Sequence, residues 1–332
     1  MSPSRGDRTI SEFLTYSRTR PRRPGVRRFR RAGAVILAGL LAVVLVAGAA
    51  IGSLWLSVSG IQRDPTLLPA RNAVEKPGTP GALNLLLIGT DARDRRGDAN
   101  VLLVVHVDAA RRQVHVVSLP RDLLVEAGDG TSQRLSRTYA AGGAAAAVDS
   151  VERLLGLRID HVALTWLDGM SRLIDLLGRV PVDNPVDSRG GRFAFPRGRI
   201  TLSGEEALAF VRQGPAAPGE LDPAESERLV LQGIVERLLT SSSLLDPGTV
   251  KAVLDQLAGD LVVDSELDSR VMIELFIDLR LRSTHPRLET IKLPTAGRGE
   301  TPTGERYVLP DRTRVAALGG ALNTDTLDTW NR

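Results

Sequence analysis

Six of the eight residues from Asp91 to Asp98 are charged, and they follow an apolar run that stops at Gly89. Asp91, Asp94 and Asp98 offer carboxylate oxygens of the kind a hard cation such as Mg2+ accepts. A solvated surface turn would have the same composition, and the spacing lacks the pattern and closing Glu of an EF-hand loop. A second charged group, Ser118-Leu119-Pro120-Arg121-Asp122, again closes an apolar run. Arg121 presents a guanidinium fork that fits a phosphate or a carboxylate, or else pairs with Asp122 at the surface. Arg134, Arg212 and Arg228 each lie beside an apolar segment. Arginines converging with carboxylates and a metal would hold a diphosphate and neutralise the charge of its transition state. Sequence supplies the residue types and leaves the convergence open.

Other chemistries find little support. The chain has no GxxxxGK[ST] loop, no GxGxxG after a strand, no GxSxG elbow and no HExxH pair, so the matching nucleotide, acyl-enzyme and zinc sites are not expected. His106 and His115 fall in strand-like runs and read as structural, and His161 reads as a strand start. The absence of cysteine excludes disulfides, zinc–thiolate sites and a cysteine nucleophile. An aromatic content of 4% disfavours a stacking platform for single-stranded nucleic acid. Net charge is +4, yet residues 1–31 hold ten Arg against Asp7 and Glu12. The rest of the chain is therefore acidic by four charges, and no nucleic-acid partner is expected.

The elements that must position these residues read as α/β. Residues 83–89 form a continuous apolar run, predicting a strand buried on both faces. Residues 100–108 and 113–119 predict a hairpin around Asp108-Ala-Ala-Arg-Arg112. Apolar spacing predicts a helix over 142–157, a strand over 161–167 and a helix over 171–180. Ser203 with Glu206 three residues on predicts a capped helix over 203–212. Further helices are expected over 224–245, 247–259 and 266–282, and the polar last 20 or so residues are expected to fray. The order implies helices on both faces of a largely buried sheet.

Upstream, residues 32–58 carry no charge, and 27 residues at helical rise can span a membrane with some tilt. A cleaved signal peptide or a buried core helix are the competing readings; the length and the Arg-rich flank favour an uncleaved anchor. The positive-inside rule keeps residues 1–31 as a basic cytoplasmic tail and sends the main domain outside the cell. Residues 59–80, with four prolines, read as a linker. The core then spans 81–245, and 246–332 form a C-terminal helical part that completes or extends it.

Taken in order, LLLIGTDARDRRGDANVLLVVHVD, VVSLPRD, RLSRTYAAGG, LLGLRIDHVALTWLDGMSRLIDLLGRVPVD and ITLSGEEALAFVRQ followed by ERLVLQ resemble the LytR-CpsA-Psr family of membrane-anchored cell-wall phosphotransferases. The resemblance covers about residues 82–240. It implies a single α/β/α domain with a mixed central sheet and an apolar pocket for a prenyl chain. It also implies transfer of a glycan phosphate from a polyprenyl-pyrophosphate carrier to peptidoglycan, assisted by Mg2+. Carried over by motif, Asp91 and Asp98 would form the acidic pair at the metal. Arg93, Arg121, Arg134, Arg212 and Arg228 would surround the pyrophosphate, with Gln232 in support, and Arg93 and Arg121 would join the acids in catalysis. The chain departs from the pattern at Gly214 and Leu231, where the family often has Arg, and at Ser136, where it often has Asn. Those departures leave room for a non-catalytic polyprenyl-phosphate-binding scaffold, or for a hydrolase of the pyrophosphate linkage.

Overall fold

The computed structural model describes residues 59–70, 78–90, 97–213, 221, 223–240, 247–278, 287–301 and 304–330. The basic tail, the apolar run 32–58, Asp91, Arg93, Asp94 and Gly214 lie outside the described residues. No described helix is long and apolar enough to cross a membrane.

The chain opens with β1 (Gln62–Arg63), β2 (Leu83–Thr90), β3 (Ala99–Val107), β4 (Gln113–Ser118), β5 (Leu124–Glu126) and β6 (Ser132–Arg134). There follow α1 (Leu135–Leu155), β7 (His161–Trp166), α2 (Leu167–Leu177), β8 (Val180–Asn184), β9 (Ser188–Gly190), β10 (Phe193–Phe195) and β11 (Gly198–Leu202). Next come α3 (Gly204–Val211), α4 (Pro223–Thr240), α5 (Pro247–Asp260), β12 (Leu261–Val263) and α6 (Ser269–Ile277). The chain ends with β13 (Arg287–Lys292), β14 (Thr295–Glu300), β15 (Arg306–Pro310), α7 (Arg312–Asn323) and α8 (Leu327–Trp330).

Seven strands form one mixed sheet in the order β1-β12-β7-β2-β3-β4-β13. β2 runs parallel to β7, β4 runs parallel to β13, and β3 is antiparallel to both of its neighbours. The predicted hairpin is present, with His106 opposite His115. Residues beyond 245 supply β12 and β13, so this segment completes the sheet.

The two faces of the sheet are covered unequally. On one, Leu86, Ile88, Leu102, Val104 and Val117 pack fully buried against Val148 and Val151 of α1 and Val315 and Leu318 of α7. On the other, Val101, Leu103, Val114 and Val116 are buried, but Leu83, Leu87 and Val105 are only half-buried. Met170, Leu208, Leu231 and Leu275, from α2, α3, α4 and α6, face this second set. Side chains on the central strand of a sheet with helices on both faces are ordinarily sealed from solvent. Partial exposure of Leu83, Leu85 and Leu87 there marks an incompletely filled apolar face.

Several elements differ from the sequence reading. α1 begins at Leu135, and the helical path breaks at Gly142 and Gly143, where the expected helix started. The C-terminal residues form α7 and α8, because Val315, Leu318, Ala321 and Leu322 make a buried stripe at helical spacing. Gly319 lets α7 approach the Leu155 carbonyl where a Cβ would collide. The following turn is fixed to the sheet: Asp325 lies 2.7 Å from His106 Nε2 and accepts the Ala109 N–H at 2.9 Å. His106 Nδ1 is hydrogen-bonded to Asn84 at 2.8 Å, a structural role in keeping with its strand position. The Ser203–Glu206 capping box forms as the sequence predicts, with the Ser203 N–H donating to Glu206 at 2.7 Å.

Candidate active site

β2, β4, β7 and β13 all finish at one edge of the sheet, and β3 begins there. Thr90 pairs with both Trp166 and Ala99, and Ser118 pairs with Lys292. Asp98, just ahead of β3, and the Arg121 turn after β4 are thereby gathered at the carboxyl ends of the parallel strands, where α/β folds place their sites.

Asp98 sits exposed at the start of β3. The Ser136 hydroxyl donates to its Oδ2 at 3.4 Å, and the backbone N–H of Ser136 donates to the Arg121 carbonyl at 2.9 Å. Ser136 is only 2% exposed, so it is a fixed post for both segments. Arg121 Nη1 donates to Asn100 Oδ1 at 3.1 Å. Arg134 ends β6 next to α1; its Nη1 lies 3.4 Å from Asp122 and its Nη2 3.7 Å from Glu305. Glu305 also receives Arg137 at 2.6 Å. Asp98, Arg121 and Arg134 thus form one group tied together by Asn100, Asp122 and Ser136.

A second group stands on α4 and β13. Arg228 donates Nε to Glu225 at 3.2 Å, Nη1 to Thr290 Oγ1 at 2.8 Å and Nη1 to Gln232 Oε1 at 3.4 Å, with a further Nη2 contact to Glu225. Gln232 lies one turn from Arg228 and so shares its face. Burial would raise the Glu225 carboxyl; hydrogen bonding and charge from Arg228, with the Lys292 charge, outweigh it and hold it below the ordinary 4.5. Arg212 is exposed and closes α3, its N–H donating to the Leu208 carbonyl at 3.0 Å.

Among the described residues no three His, Asp or Glu side chains gather as metal ligands. Sequence reading missed Asn100, Glu225, Thr290 and Glu305. Asn100, Thr290 and Glu305 act through partners remote in sequence. Glu225 instead lies one helical turn from Arg228, and its i,i+3 spacing could have signalled the pair. The alternation of Thr290, Ile291 and Lys292 could have signalled β13.

A family model described as the LytR_cpsA_psr family matches residues 63–324. The chain belongs to the LytR_cpsA_psr family. Among its relatives is a polyisoprenyl-teichoic acid–peptidoglycan teichoic acid transferase, TagU, from Halalkalibacterium halodurans. The two are 28% identical over 246 residues, covering 73% of this chain and 78% of that one. The fold is shared with the crystal structure of B. subtilis TagV at a TM-score of 0.63 and 22% identity, over 75% of this chain and 98% of that one. A structure of TagT bound to LIIa-WTA matches at 0.61 and 22% identity, over 81% of this chain and all of that one. Two departures from the LytR_cpsA_psr pattern acquire a structural meaning. Ser136 still donates to Asp98. Leu231, half-buried, packs between the α3–α4 cluster and the apolar sheet face, making an apolar contact where the resemblance leads one to expect a cation.

Proposed function

We propose that this chain transfers a glycopolymer phosphate from a polyprenyl-pyrophosphate carrier to a hydroxyl of peptidoglycan. The observation that carries the reading is the half-buried apolar face of β2 leading to the sheet edge where Asp98 and Arg121 stand, with Arg134 beside Asp122 and Arg228 reaching Thr290 of β13 from α4. An amphiphile with a hydrocarbon tail and a diphosphate head matches that order of surfaces. The TagU relatives, named for a polyisoprenyl-linked donor and a peptidoglycan acceptor, support the substrate classes. The site would act outside the cell, tethered by residues 32–58 to the membrane that holds its donor.

In the reaction the acceptor hydroxyl attacks the glycan-side phosphorus and gives up its proton to water. The bond from that phosphorus to the bridging oxygen breaks, and prenyl monophosphate leaves with the electron pair. The guanidiniums of Arg121, Arg134 and Arg228 orient the diphosphate and stabilise its growing charge. Arg93 and Arg212 belong to the same proposal, with Gln232 holding Arg228. Mg2+ is commonly bound by one or two carboxylates together with substrate phosphates. The exposed oxygens of Asp98 suit such an ion, and Asp98 with Asp91 would hold it. It would supply charge neutralisation at the diphosphate.

A photoreactive prenyl diphosphate tests the reading. Crosslinks should concentrate on residues 83–87 and on the facing α4 segment, and excess prenyl diphosphate should abolish them. Labelling spread evenly over the chain, or unaffected by competitor, would defeat it. The apolar placement of Leu231 favours a scaffold as the second reading, recognised by saturable labelling without turnover.

A further inference from the structure

β13 brings to the strand-end edge a cation that the proposed mechanism leaves without a task. Ile291 is buried in the core on the α1 side of the sheet, so Thr290 and Lys292 project from the other face. The direction of Thr290 is fixed independently by its 2.8 Å hydrogen bond from Arg228. Lys292 is the next residue on that face, and it ends the strand. Its partner in β4 is Ser118, three residues before Arg121. Lys292 therefore stands one strand from the Arg121 turn and two residues from the anchor of Arg228.

Two of the neighbouring cations already face anions. Arg228 is matched by Glu225, and Arg134 by Asp122 and Glu305. The Lys292 side chain is exposed and makes no hydrogen bond or ion pair with another described residue, though its charge reaches Glu225 and helps to hold that carboxyl ionised. An ammonium with three rotatable donors and no anion in contact among the described residues suits a phosphate oxygen as its partner.

We propose that Lys292 is a further phosphate-contacting residue of this site, donating to a non-bridging oxygen of the donor's diphosphate on the Arg228 side. Thr290 is the positioning residue that holds the Arg228 guanidinium beside it. The inference rests on the diphosphate-donor reading above.

The test uses the full-length chain in detergent, with geranylgeranyl diphosphate as the probe and geranylgeranyl monophosphate for comparison. Lys292→Met should weaken diphosphate binding about tenfold, the loss expected for one charge-assisted hydrogen bond. Monophosphate binding should fall less, Lys292→Arg should recover most of the affinity, and thermal unfolding should not move. Thr290→Val should cost about threefold through the lost Arg228 acceptor. Lys292→Met binding the diphosphate within about twofold of the unmodified chain, on the same scale, overturns the inference and leaves the transferase reading intact. An unmodified chain that neither binds the diphosphate nor turns over a donor overturns both.

Discussion

Arg121 Nη1 donates to Asn100 Oδ1 at 3.1 Å, and Asn100, the second residue of β3, lies two residues from Asp98. One short stretch of strand therefore sets both the acid and the orientation of a guanidinium carried by the turn after β4. Asn100→Leu should keep the fold and lower kcat/KM about tenfold, the cost of one freed charge-assisted hydrogen bond. Arg121→Ala should lower it by about 10²–10³. Steady-state transfer rates of the two variants check this; full activity in Asn100→Leu would show that Arg121 needs no such support.

Gly233 sits one residue beyond Gln232, and a Cβ there would run into the Pro181 carbonyl oxygen of β8. Gly233→Ala must push α4 off that strand and carry Arg228 and Gln232 with it. A stability loss of about 2 kcal/mol is expected for such overpacking, together with a clear fall in kcat/KM. Thermal unfolding and transfer rates measured on the same preparation would reveal both, and an unchanged variant would contradict the packing described.

Glu225 carries a pH prediction. Its carboxyl is held below 4.5, chiefly by Arg228 working against the cost of burial. A depressed folded-state pKa stabilises the fold above the unfolded value and loses that contribution as pH falls through the folded value. The native chain should therefore lose melting temperature more steeply than Glu225→Gln as pH drops below 4.5. Parallel melting curves for the two proteins over that range would sink the argument.

The C-terminal turn should matter more than its polar sequence suggests. Asp325 supplies acceptors to buried His106 and to the Ala109 N–H. Asp325→Ala strands both donors and should cost about 2–3 kcal/mol, read from chemical unfolding. A loss under about 0.5 kcal/mol, the range of ordinary surface substitutions, would mean that the turn is not a clamp.

The parts of the fold legible in sequence were those with strong local periodicity. The apolar run at 83–89, the hairpin through His106 and His115, and the Ser203 capping box all formed where their patterns placed them. β9 and β10 have three residues each, too few for a period to register, and they depend on remote packing such as the edge-to-face contact of Phe195 with Phe210 at 5.0 Å. The last 20 or so residues read as fraying because they are polar, yet α7 forms there, with Gly319 permitting the close approach to α1. In the candidate site, Asp98, Arg121 and Arg228 were legible by residue type and motif. Their partners Asn100 and Thr290 were not, since Asn100 lies 21 residues from Arg121 and Thr290 lies 62 from Arg228. Ser136 was legible as a motif position but not as the partner of Asp98, 38 residues away.

The most direct test of the central claim supplies the full-length chain with a polyprenyl-pyrophosphate-linked oligosaccharide, peptidoglycan fragments and Mg2+, and follows prenyl phosphate release and acceptor labelling together. The account predicts one labelled acceptor per prenyl phosphate released, with both signals lost in Arg121→Ala and Asp98→Ala. Prenyl phosphate released at the same rate without acceptor would make the protein a hydrolase. Saturable donor binding with no release at all would make it a scaffold, and either result would contradict the transferase.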